Sequence, residues 1–159
     1  MPIYFFLSGA GTGKSRHAAE FHKTSVHCLG DEDEELKGKL CNAWVFHTTF
    51  ENGTSLRSAE SDGFWAIGTR MLHQLLPNEK LKDILENYEA PDPWSVLQLA
   101  AKSEQKELKD SAVILIVDGL HALMVSDNDG VDQTSEFYKT LTAIGDLTHE
   151  GVSGISDSG

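Results

Sequence analysis

The stretch Gly9-Ala10-Gly11-Thr12-Gly13-Lys14-Ser15 carries the clearest chemistry in this sequence. Glycines let successive backbone N–H groups curl around phosphate oxygens without Cβ clashes. A lysine at the end of such a turn reaches the β- and γ-phosphates of a nucleoside triphosphate, and a following serine hydroxyl ligates Mg2+. The P-loop pattern is a glycine, four free positions, then Gly-Lys and Ser or Thr. Here Ser8 to Ser15 reads S-G-A-G-T-G-K-S. Gly13-Lys14-Ser15 is intact, while Ser8 holds the first glycine position and Gly9 comes one step later. The motif requires a strand before it and a helix after it. Residues 3–7 (IYFFL) read as a short buried strand, and a helix is expected from about Gly13 to Lys23. Gly9 through Ser15 are therefore the candidate nucleotide-binding residues, with Lys14 also catalytic and Ser15 a metal ligand. Arg16 joins them as a residue facing either the nucleotide or only the helix surface.

A second signal lies far along the chain. Residues 111–118 (SAVILIVD) form an unbroken apolar, largely β-branched run that ends in an acid. Such a run reads as a central parallel strand buried on both faces. Asp118 then takes the place of a Walker B carboxylate, holding Mg2+ opposite Ser15 directly or through water. Many hydrolysing P-loop enzymes follow that acid with a glutamate, and here the position is Gly119. Turnover is accordingly expected to be slow, and Gly119→Glu to raise it if the geometry is otherwise competent. His121 is the tentative base or water-orienting residue. Arginine is scarce: Arg16, Arg57 and Arg70. An arginine-finger role for Arg70, in mid-helix, is the minority reading.

These residues need a scaffold. A chain of 159 residues fits one domain and can bury roughly 68–70% of its unfolded surface. Residues 43–50 (AWVFHTTF) are aromatic and β-branched, a strand, and Asn52-Gly53 marks a turn. Phe64, Ile67, Met71, Leu72, Leu75 and Leu76 recur at helical spacing until Pro77. Leu81, Ile84, Leu85 and Tyr88 give a second helix. Asp92 as N-cap with Pro93 at the first helical position opens a third. A polar loop, Ser126 to Gly130, leads to a last helix with Phe137, Leu141 and Ile144 inward. The five acids at 31–35 (DEDEE) read as a solvated loop. Strands alternating with helices mean an α/β domain with a parallel sheet.

Composition excludes several classes. The net charge of −12 argues against direct nucleic-acid binding, which needs Lys and Arg on phosphates. No apolar stretch is long enough for a signal peptide or a membrane span. Cys28 and Cys41 make no disulfide framework, and their spacing fits no zinc motif.

The segments "YFFLSGAGTGKSRHAAEFH", "AWVFHTTFENGTSLR", "AIGTRMLHQLLP", "YEAPDPWSVLQLAAK", "VILIVDGLHALM" and "FYKTLTAIGDLT" together resemble the Crinkler effectors of oomycete plant pathogens. The resemblance covers roughly residues 2 to 148. It implies an NTPase-like module of a modular effector that enters host cells, commonly acts in the nucleus, and perturbs cell death or immunity. On this resemblance Gly9 to Ser15 match the family's P-loop and Asp118 its Walker B acid. The family's translocation domain and its nuclease-like C-terminal domain are not expected within these residues.

The expected architecture is α/β, P-loop NTPase-like, a three-layer α/β/α sandwich with a short, incomplete parallel sheet. The domain is expected over 1–148, followed by a flexible Gly/Ser-rich tail over 149–159. The expected function is binding of ATP or GTP with Mg2+ and slow hydrolysis. The alternative is an inactive, nucleotide-gated interaction module. A small-molecule kinase is disfavoured because no arginine-rich lid is evident. One class of P-loop ATPase places a fourth strand between its first and third. This chain ends before supplying one, so open sheet edges are expected to attract a host protein or a second copy.

Overall fold

The computed structural model describes residues 13–51, 56, 60, 62–124 and 131–153. The expected strand at 3–7, most of the glycine loop, the Asn52-Gly53 turn and the 126–130 loop lie outside the described residues. Those described form a mixed α/β arrangement of six α-helices and one parallel strand pair.

The strands are β1 (Trp44–Thr49) and β2 (Val113–Asp118). They pair in parallel from Trp44 opposite Val113 to Thr49 opposite Asp118. Their connection carries α3 (Gly63–Leu75), α4 (Leu81–Asn87) and α5 (Pro93–Ser103). Parallel strands require a crossover of this kind. Before the sheet come α1 (Lys14–Cys28) and α2 (Glu34–Cys41), and after it α6 (Glu136–Ser153). Helix α1 thus runs on past Lys23, and α6 reaches into the stretch expected as tail.

One face of the sheet forms the core. Phe46 and Phe50 of the β1 segment pack with Ile67, Met71 and Leu72 of α3, Ile84 of α4, and Val96 and Leu97 of α5. Val113, Leu115 and Val117 of β2 lie against the same cluster, as do Phe137, Ile144 and Leu147 of α6. The period of two along the strands puts these residues on a single face. β2 is half-buried along its whole length rather than fully buried, and β1 is its one partner among the described residues. Helix α1 packs against β2, and α2 packs against α1.

The acidic run corrects the loop expectation. Asp31–Asp33 form a 3-10 turn, and Glu34 and Glu35 open α2. Acids in a first turn complement the partial positive charge of the helix N-terminus. Lys37 and Lys39 follow at helical spacing, 3.2 Å from Glu34 and 2.7 Å from Glu35. The pairing with Lys39 holds the Glu35 carboxyl below its usual range.

Helix α5 begins where Asp92-Pro93 requires. Asp92 accepts the Ser95 N–H at 2.9 Å, with the proline in the first turn. Partial burial pushes the Asp92 pKa up, but bonds from the Ser95 hydroxyl and backbone outweigh it and hold the group below its ordinary value.

A buried ion pair joins α3 to the sheet. Arg70 is 4% exposed and Glu60 fully buried. Arg70 Nη1 donates to Glu60 Oε1, and Nη2 lies 3.4 Å from Oε2. Nη1 also donates to the Ala66 carbonyl at 2.8 Å, Nε donates to the Thr49 carbonyl at 3.0 Å, and the guanidinium stands 4.6 Å over the Phe50 ring. Arg70 is therefore a structural residue, with its guanidinium committed on every side.

Two predictions follow from these contacts. Glu60→Ala strands a buried charge and should cost about 3–5 kcal/mol in urea denaturation. Glu60→Leu with Arg70→Met should recover most of that, leaving about 1 kcal/mol for the lost hydrogen bond to the Thr49 carbonyl. Asp92→Ala should cost about 1 kcal/mol at neutral pH. Because folding depresses the Asp92 pKa, its contribution is present above the unfolded value and fades as pH falls through the folded one. Urea midpoints of Asp92→Ala and wild type should therefore converge in acid.

Candidate functional site

Helix α1 starts at Gly13, which adopts a left-handed backbone, φ 79° and ψ 20°. Glycine reaches this region at no steric cost. Its carbonyl accepts the His17 N–H at 2.9 Å. Lys14 and Ser15 are the first two residues of the helix, and no acid stands in its first turn. An anion can therefore approach this N-terminus without meeting a carboxylate from that turn. Gly9, Ala10, Gly11 and Thr12 lie outside the described residues. Arg16 is 83% exposed, its Nε 3.9 Å from Glu20 one turn on.

Helix α1 packs against β2, the strand that carries Asp118 at its carboxyl end. Parallel strands present their ligand-binding groups at that end. Asp118 Oδ1 accepts the N–H of Gly119 at 2.8 Å. Oδ2 faces His47 Nε2 at 3.9 Å, too far for a hydrogen bond. The side chain is 27% exposed, so solvent and a hydrated cation can reach it. Among the described residues no set of three or more His, Cys, Asp or Glu is placed to hold a metal by itself. A Mg2+ that keeps most of its water and leans on substrate phosphates needs only one or two protein oxygens, so Asp118 fits that role.

Gly119 has a reason to be glycine. Its φ is +75°, and a Cβ there would lie 2.5 Å from Glu51 Cγ and 3.1 Å from Glu51 N. The expectation that Gly119→Glu would raise turnover fails on this geometry, because the space is already filled. Glu51 fills it from the neighbouring strand, following Phe50, whose N–H donates to the Asp118 carbonyl at 3.1 Å. Glu51 Oε1 in turn lies 3.1 Å from His121 Nε2, in the 3-10 turn Leu120–Leu123. His121 is thus brought into this group.

Glu51 and His47 were not singled out in the sequence. A usable signal existed, since Glu51 is the first charged residue beyond the 43–50 strand. A cavity of about 350 Å3 opens near Asn42 and Ala112, at the amino ends of the strands, away from Asp118. The site above is the better candidate because it lies at the carboxyl ends.

The class is thus a mixed α/β protein whose polar side chains gather at the carboxyl ends of two parallel strands. No protein-family profile and no solved structure matches the chain. It is 35% identical over 153 residues to Crinkler effector protein 108 of Phytophthora sojae. That alignment covers 89% of this chain and 18% of the relative's length. The chain belongs to the Crinkler family and corresponds to one segment of this longer relative.

Gly119→Ala should destabilise by at least about 1–2 kcal/mol, the cost of left-handed backbone for a non-glycine residue. The Cβ contact with Glu51 adds to this. A melting temperature equal to wild type would show that the β2 turn relaxes freely.

Proposed function

We propose that this chain is the nucleotide-binding module of a Crinkler effector, with a P-loop NTPase-like fold that holds ATP or GTP with Mg2+ and hydrolyses it slowly. The observation that carries the reading is one juxtaposition. A left-handed Gly13 delivers Lys14-Ser15 to the start of α1, and α1 packs on the strand that ends in Asp118. In this reading the backbone from Gly9 to Gly13 cradles the phosphates and Lys14 neutralises the β- and γ-oxygens. Ser15 and Asp118 would hold the cation. Bound Mg2+ would neutralise charge on the β- and γ-phosphates.

As part of an effector, the module acts inside the host cell, including the nucleus, on cell death or immunity. A host protein or a second copy that adds a strand would use an edge other than the outer edge of β1. Side chains of α3 already bond that edge at His47 and Thr49.

A second reading is a nucleotide-gated interaction module without turnover. Its support is Gly119, which places no side chain beyond Asp118 and has no room for one.

Lys14→Ala tests the assignment. Wild type should gain about 2.7 kcal/mol of stability at a hundredfold excess of Mg-nucleotide over its Kd. The variant should still fold and lose most of that gain, and an unchanged shift would remove Lys14 from the site. Asp118→Asn should weaken Mg2+-dependent binding more than metal-free binding, as calorimetry with and without the cation would read. Release of inorganic phosphate separates the two readings.

A further inference from the structure

We propose that Glu51 is the carboxylate that activates the attacking water, and that His121 is its positioning residue. The inference rests on the nucleotide-binding reading above and adds a residue to it. The position after Asp118 cannot carry a base, because Gly119 has φ +75° and no room for a Cβ. The group that takes up that room is Glu51, two residues beyond the end of the strand that pairs with β2. The register sets Thr49 beside Asp118, and the Phe50 N–H holds to the Asp118 carbonyl, so Glu51 emerges just past the acid. A carboxylate missing from one strand end is thereby supplied by the adjacent one.

The local contacts suit a base. The Glu51 side chain is 36% exposed, buried enough to be held and open enough to meet water. Its Oε1 lies 3.1 Å from His121 Nε2, which holds the carboxylate in place. The Glu51 N–H donates to Thr49 Oγ1 at 3.2 Å, which pins the backbone. His121 itself is 75% exposed and touches Glu51. Its role is therefore positional rather than as the base itself.

The step balances without a further reagent. Glu51 takes a proton from water as the water oxygen bonds to the γ-phosphorus. The bond from that phosphorus to the β–γ bridging oxygen breaks, and its electron pair leaves with the nucleoside diphosphate. Inorganic phosphate is the second product, and the exposed carboxyl returns its proton to solvent.

The test uses the full chain with Mg-ATP and Mg-GTP, measuring calorimetric binding and phosphate release together. Glu51→Gln keeps size and a hydrogen-bonding oxygen for His121, so binding and cooperative unfolding should persist. Turnover should fall by about 10²-fold or more, the scale of a lost general base. His121→Leu should lower kcat by less and leave KM unchanged, and His121→Gln, which retains a donor, should restore much of it. Binding with wild-type turnover in Glu51→Gln would overturn the proposal while leaving the nucleotide site standing. Binding by wild type without any phosphate release would also overturn it, in favour of the gated module. Absence of binding by wild type would instead overturn the nucleotide reading, and this proposal with it.

Discussion

A guanidinium cannot shed its charge inside a protein, so a buried arginine dictates the structure around it. Arg70 is such a residue. Its Nε binds the last carbonyl of β1, its Nη atoms bind Glu60, and its plane covers Phe50. These contacts fix the connection between β1 and α3 to α3, and α3 to the carboxyl end of β1. Burying an ion pair brings little net stability, because desolvation offsets the attraction. What it does bring is an address. Removing the pair from water makes any other placement of Glu60 expensive, so this strand end has one position. Thr49, Phe50 and Glu51 all take their places from it.

The same helix solves a second problem. The N–H groups of Trp44 and Phe50 point toward β2, which leaves Val45, His47 and Thr49 facing away. Unpaired backbone groups on an edge strand recruit other strands. Gln74 answers for His47, accepting its N–H at 2.9 Å and donating to its carbonyl at 3.1 Å. A carboxamide is chemically a peptide group, so it substitutes for a strand at that position. Arg70 answers for Thr49 one turn earlier on α3. Among the described residues, side chains of α3 cover this edge in place of another strand.

Periodicity and capping were readable in the sequence because they are local. Pro77 stops α3, Asp92-Pro93 starts α5, and the two β-branched runs are strands within a residue or two of expectation. Each of those signals lies within a few residues of its effect. The Arg70 network is different. Glu60 and Thr49 stand 10 and 21 residues from Arg70, and composition gives charges no partner. The acidic run at 31–35 misled for a related reason. Charge alone signals solvent, whereas its use here depends on Lys37 and Lys39 following at helical spacing. In the candidate site, Lys14, Ser15 and Asp118 were legible as a motif. Glu51 was not, since its relation to Asp118 exists only once the parallel register is known.

That register makes an electrostatic arrangement intelligible. Glu51 and Asp118 place two carboxylates at one end of the sheet, on a chain of net charge −12. A polyphosphate would be repelled by such a surface. Screening limits that repulsion to about 8–10 Å at ordinary ionic strength, so the decision is made by the groups nearest the phosphates. On the proposed reading those are the N-terminus of α1, Lys14 and a Mg2+ shared with Asp118, all of which favour negative charge. Glu51 comes from the end of the neighbouring strand, where its Oε1 meets His121. Setting Glu51 on the neighbouring strand puts a second carboxylate at the end that carries Asp118, while position 119 keeps the left-handed glycine that the turn requires.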